Sequence, residues 1–191
     1  MTKHTSRAIV IGASAGAVQA LLRILPNLSD AYPYPILVTV HVPPDRNNLL
    51  VPLLRDRCRI EIKEAEDKEP IRSAVVYFAP SDYHLLVEKD GTLALSSDET
   101  VNYSRPSIDV LFESAADAYG EGLTGIILTG ANEDGAQGLE AISRQGGDVI
   151  VERPDDAYAA TMPEAAIQAC RGARTMTLEE IADHLARLEI R

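Results

Sequence analysis

Short apolar runs recur along the chain with room for a helix between them. Ala8-Ile9-Val10-Ile11, Ile36-Leu37-Val38-Thr39-Val40 and Ala74-Val75-Val76-Tyr77-Phe78 are continuous rather than alternating, the pattern of strands buried on both faces of a sheet. Gly125–Gly130 and Asp148–Glu152 read as two more strands. Amphipathic segments separate them: Val18–Leu25; Asp45–Arg57, with Leu49, Leu50, Leu53 and Leu54 inward; Ala136–Arg144, stopped by Gly146-Gly147; and Met162–Cys170. A further helix takes Pro106 in its first turn, buries Ile108, Val110, Leu111, Phe112 and Ala115, and ends at Gly120 and Gly122. The last opens at Thr177, with Glu180 three residues on as a capping box, and buries Ile181, Leu185 and Leu188.

Two stretches break this alternation. Arg59–Lys63 alternates with period two, as a strand with one solvated face does, and the charged run Glu64–Pro70 reads as a solvated loop. His84–Glu88 and Thr92–Leu95 flank Asp90-Gly91, a pair suited to the positive φ angles of a tight turn, so an antiparallel hairpin interrupts the α/β order.

At 191 residues, one domain spanning 1–191 is expected. The net charge of −11 opposes a nucleic-acid partner, whose phosphates call for clustered Lys and Arg, and weighs against an anionic membrane surface. Cys58 and Cys170 lack metal-ligand spacing, Met1–Arg7 lacks the apolar region of a secretion signal, and no stretch reaches bilayer length. The expectation is a cytoplasmic protein without metal or cofactor and without membrane insertion.

Chemistry gathers where strands end. After the first strand, Gly12-Ala13-Ser14-Ala15-Gly16 has the Gly-x-Ser-x-Gly spacing of a nucleophile elbow, in which glycines relieve a strained turn and expose a serine hydroxyl before a helix N-terminus. The same spacing equally fits a small-residue βα turn with no chemistry. His41 closes the second strand before Val42-Pro43-Pro44, and Asp134 follows the strand ending at Gly130. In an open parallel sheet the carboxyl ends of strands face ligands, so Ser14, His41 and Asp134 would share one edge. A neutral imidazole can take the serine proton when a carboxylate fixes its tautomer. Asp134 is preferred to Glu133 as that carboxylate, because it is short and directly precedes Gly135 at a helix start. His84 is a further candidate, but it precedes a hairpin and suits a structural or surface role. The early elbow and the order Ser, His, Asp differ from the α/β-hydrolase arrangement.

Read together and in order, Gly12–Gly16, Val40–Pro44, Lys63–Asp67, Phe78–His84, Arg105–Phe112 and Ile127–Gly130 followed by Asp134-Gly135 resemble the catalytic domain of the chemotaxis protein-glutamate methylesterases, the CheB family. The resemblance runs from about Ala8 to the C-terminal helix. It implies a doubly wound α/β domain, a mainly parallel sheet flanked by helices with an antiparallel hairpin, and hydrolysis of glutamate γ-methyl esters on chemoreceptor helices, with glutamine deamidation in some members. By position it makes Ser14 the nucleophile, His41 the base and Asp134 its partner, and puts the N–H groups of Ala15 and Ala131 where the oxyanion donors lie. In three places the chain departs from the family pattern. Ala15 stands where Thr is usual, the elbow ends Gly16-Ala17, and Ala131-Asn132-Glu133 replaces the usual Met-Gly-Asn. Backbone donors survive these changes, so catalysis is expected to survive. The family's usual receiver domain has no counterpart in this sequence, which implies activity as isolated or control by a separate regulatory protein.

Other readings stay open on the residues alone. A generic soluble serine esterase or amidase would keep the same three residues and act on small molecules, and a non-catalytic signalling module would keep only the fold. A nucleotide-binding loop is disfavoured, because the dinucleotide spacing is missing and His41, not an acid, ends the second strand.

Overall fold

A computed structural model describes residues 6–41 and 49–189. Seven strands, β1 (Ala8–Ala13), β2 (Ile36–Val40), β3 (Glu61–Glu64), β4 (Val75–Phe78), β7 (Leu123–Ile127), β8 (Asp148–Glu152) and β9 (Arg174–Met176), form one sheet in the order β3-β4-β2-β1-β7-β8-β9. Every pairing is parallel. The continuous apolar runs occupy its centre because both of its faces are covered. Ile9 and Ile11 of β1 pack on one side with α1 (Ala17–Ile24), α2 (Leu50–Arg55) and α6 (Leu178–Leu188). Ala8 and Val10 pack on the other with α3 (Ile108–Tyr119), α4 (Ala136–Arg144) and α5 (Thr161–Ala169). The remaining strands, β5 (His84–Val87) and β6 (Leu93–Ser96), pair antiparallel as a separate hairpin against α3. None of the described helices is long and apolar enough to cross a membrane.

From β1 the chain moves outward to β2 on one side and returns to β7 on the other. The strand order therefore reverses at β1, and in open α/β sheets ligands bind beside such a switch point, here beyond the carboxyl ends of β2, β1 and β7. Those are the three strands that lead into His41, Ser14 and Asp134.

Several expectations change in detail. Leu49 is 74% exposed and precedes α2, where only Leu50, Val51 and Leu54 are buried; Val42-Pro43-Pro44 and 45–48 lie outside the described residues. On α3, Asp109 rather than Val110 takes an inward position, and Pro106 lies ahead of the N-cap Ser107 instead of in the first turn. In the hairpin only Gly91 has positive φ, at 84°, since the Asp90 carboxylate shapes the turn by accepting from the Thr92 N–H and hydroxyl. The charged run after β3 is not a free loop: Lys68 N–H donates to Leu93 O, and Leu93 N–H donates to Glu69 O, along the edge of β6. Leu188 is only half-buried, and β9 is a strand that apolar periodicity does not announce, its residues being Arg174-Thr175-Met176. Cys58 packs against the core on one face of the sheet and Cys170 lies in the core on the other. Burial pushes the Cys58 thiol up to about 11.

Candidate active site

The first junction owes its shape to two glycines with different tasks. Gly16, the N-cap of α1, has φ 87°, a conformation that costs an L side chain energy, and a Cβ there would stand 2.7 Å from that of Tyr158. Gly12 has no such backbone demand, contrary to the strained-turn expectation. It is small because a Cβ at that point would lie 2.4 Å from Cγ2 of Ile108, which packs onto the sheet there. Between them Ser14 is tied by its backbone to both neighbouring strands' ends. Its N–H donates to Thr129 O at 2.9 Å, and His41 N–H donates to the adjacent Ala13 O at 3.2 Å. Thr129 also donates its hydroxyl to Ala15 O at 2.8 Å, and its own N–H donates to the buried Glu152 carboxylate at 2.7 Å. Thr129 and Glu152 thus hold the elbow from behind.

Asp134 is fully buried, and His41 Nε2 lies 2.7 Å from its Oδ2. Four further donors converge on the same carboxylate: Asn102 Nδ2 at 2.8 Å, Ser107 Oγ at 2.9 Å, Ile108 N at 2.6 Å and Asp109 N at 3.2 Å. Two of these are the free N–H groups at the start of α3, so the carboxylate caps that helix from another element and sits at the positive end of its dipole. Burial alone would raise the Asp134 carboxyl, but the hydrogen bonds from His41, Asn102 and Ile108 outweigh it and hold the group below the usual aspartate range. An ionised Asp134 accepts only, which leaves the proton of this contact on Nε2 and the lone pair of a neutral ring on Nδ1. Glu133 is exposed and makes no hydrogen bond or ion pair with the ring among the described residues.

Behind Asp134 lies a second buried carboxylate. Asp109 accepts from Gly138 N at 2.6 Å and from the Asn102 amide at 2.7 Å. Burial foremost, and the charge of Asp134 with it, pushes this carboxyl up. Asn102 reaches both acids from a two-residue turn in which it and Tyr103 have φ of 51° and 61°. Such paired positive φ values suit asparagine at the first position.

His84 is bound up in backbone contacts away from His41. It is 2% exposed, its Nε2 lies 2.9 Å from Glu99 O, and its Nδ1 accepts from Ser107 N–H at 3.1 Å. One ring nitrogen thus holds the N-cap of α3 and the other the segment that follows β6. The N–H groups of Ala15 and Ala131 donate to no protein group among the described residues, and they lie in the loops that follow β1 and β7. The structure thus brings His41 and Asp134 into direct contact and places Ser14 beside them through the backbone, without a hydrogen bond from Ser14 Oγ to the ring among the described residues. Sequence patterns did not single out Asn102, Ser107, Thr129 or Glu152 as parts of this site. Ser107 at a helix N-cap and Asn102 in a turn carry local structural signals that hide any role at long range.

Such an arrangement, a serine, a histidine and an aspartate on the ends of three adjacent strands at the switch point of a doubly wound sheet, places the protein in the class of α/β domains equipped for hydrolysis. The chain belongs to the CheB methylesterase family, whose model matches residues 9–185. It is similar to the crystal structure of the Thermotoga maritima CheB methylesterase catalytic domain, with a TM-score of 0.90 and 32% identity over 95% of this chain and 98% of that one. A Leptospira interrogans protein, named provisionally a protein-glutamate methylesterase/protein-glutamine glutaminase, is 48% identical over 95% of this chain and 94% of its own length. An Archaeoglobus fulgidus protein of the same name is 36% identical over 96% of this chain. The chain spans 54% of that longer relative.

Proposed function

We propose that this protein is a protein-glutamate methylesterase that hydrolyses glutamate γ-methyl esters of a methylated chemoreceptor or a similar signalling protein through Ser14, His41 and Asp134. The observation that carries the reading is the 2.7 Å contact between His41 Nε2 and a buried, ionised Asp134 at the strand edge next to the Ser14 elbow. The Ser14 oxygen bonds to the ester carbonyl carbon while its proton passes to His41 Nδ1. The carbonyl oxygen takes up the charge against the N–H groups of Ala15 and Ala131. Collapse of the tetrahedral intermediate breaks the bond to the methoxy oxygen, Nδ1–H protonates it, and methanol leaves. Water then repeats the sequence on the acyl-serine, releasing the glutamate carboxylate and restoring Ser14. A glutamine side chain enters the same cycle with ammonia as the leaving group, in keeping with the double name of the relatives.

The test is methanol release from a methylated receptor cytoplasmic fragment. Ser14→Ala should fold as wild type, since alanine fits between Gly12 and Gly16, and lose nearly all turnover. Turnover near wild type overturns the reading. Equal turnover of small esters with no preference for the receptor fragment overturns the assigned substrate and leaves the three residues in place.

A further inference from the structure

Asn132 stands two residues before Asp134, and the structure gives its side chain two fixed contacts. Its Oδ1 accepts from Asp134 N–H at 3.0 Å, and its Nδ2 lies 3.2 Å from His41 Nδ1. The first contact settles which end of the amide is the NH2 group, because only an oxygen can accept there. With Nε2 committed to Asp134, the amide N–H is left facing the Nδ1 lone pair. One short loop therefore grips both ends of the imidazole, a carboxylate on one nitrogen and an amide on the other.

We propose that Asn132 is a positioning residue for the reaction, acting through His41: it fixes Nδ1 as the base nitrogen and favours the proton's departure from it. The inference rests on the hydrolytic roles assigned above to Ser14, His41 and Asp134. Turning the ring over would leave Asp134 and Asn132 facing C–H groups, so the two contacts lock its orientation. At 3.2 Å the amide bond is at the long end of the normal range, and the Ser14 hydroxyl can replace it on Nδ1 at small cost. Once Nδ1 has accepted the serine proton, N–H faces N–H. That opposition drives the proton onward to the departing methoxy oxygen, the step that completes acylation.

Three variants test this, Asn132→Ala, Asn132→Asp and Ser14→Ala, each read by the ring ¹⁵N resonances of His41 and, for the first two, by the pH profile of methanol release. Asp134, in contact with the ring, Asp109 behind it through Asn102, and exposed Glu133 on the same loop are common to all of them. Differences between the two Asn132 variants and wild type therefore belong to position 132. In wild type and Ser14→Ala, Nδ1 should resonate as an imine nitrogen accepting a hydrogen bond. Asn132→Ala should shift it toward the free imine position, lower kcat about tenfold, the scale of one lost hydrogen bond, and leave KM within about twofold. Asn132→Asp should set a carboxylate against Nδ1, protonate the ring, and move the acid limb of kcat/KM to higher pH. Its deficit should then shrink as pH rises. Unchanged Nδ1 resonances and acid limbs in both variants, or losses that follow the melting temperature with no pH dependence, overturn the role of Asn132. Full turnover of Ser14→Ala instead overturns the underlying hydrolytic reading, so the two failures are distinguishable.

Discussion

Asp134 and Glu133 are adjacent carboxylates with opposite surroundings, and their environments separate their roles. Asp134 is buried under five donors, one of them the His41 ring. Asp134→Asn keeps the size of the side chain but offers an amide where an acceptor is needed, so the ring loses the partner that holds its proton on Nε2. The corresponding change in the serine proteases lowers turnover by about 10⁴-fold, and a loss of about 10³- to 10⁴-fold is expected here. Glu133→Gln, on a solvated side chain, should cost a few-fold at most, on the scale of ~1 kcal/mol or less for exposed charges. Methanol release by the two variants, with thermal unfolding as the control, checks the pair. A larger loss for Glu133→Gln with both proteins folded would contradict the assignment.

At the scale of elements, the site depends on how closely the start of α3 approaches β1. Ile108 meets the sheet at Gly12 and the N-cap of α4 at Gly135, where a Cβ would stand 2.4 Å and 2.8 Å from its Cγ2. That approach delivers the N–H groups of Ile108 and Asp109 to Asp134. Gly12→Ala should therefore act twice. Overpacking should destabilise the fold by about 1–3 kcal/mol, measured by chemical denaturation. Displacement of α3 from Asp134 should cut turnover by about 10- to 100-fold in the fraction that remains folded, the scale on which misplacement by up to 1 Å acts. Loss of stability with full turnover would show that α3 does not position the carboxylate.

The stability of the whole molecule carries two opposed pH dependences. Asp134, held below its usual range, contributes stability that is present above the ordinary aspartate value and is lost as pH falls through the folded value. Glu152 behaves the other way, because burial raises its carboxyl despite the hydrogen bond from Thr129 N–H. Between its ordinary and its raised value the folded protein holds a proton that the unfolded chain has released, so stability falls as pH rises through that window. Glu152→Gln removes this titration while its amide oxygen can still accept from Thr129 N–H. Denaturant midpoints should show the variant gaining on wild type as pH rises out of the ordinary glutamate range, then holding a constant advantage above the raised value. A difference independent of pH would mean that Glu152 acts through the geometry of its contact and not through its buried charge.

The sequence by itself determined the sheet's central strands, most helices and the two polar strand ends, because continuous burial, helical periodicity and caps such as Thr177 with Glu180 are written in neighbouring residues. It also singled out Ser14, His41 and Asp134, each marked by a strand end or a glycine beside it. Tertiary structure alone decided what surrounds them. Asp134 meets the first turn of α3, the Asn102 turn and the ring of His41 across separations of 25 to 93 positions, and nothing local distinguishes the Ser107 or Asn102 that donates to it from any other cap or turn residue. The same holds for Gly12, whose need for hydrogen in place of a side chain arises from Ile108, a residue of a different element. Local pattern records what each segment must bury; which donors converge on a buried charge is settled only when the segments pack.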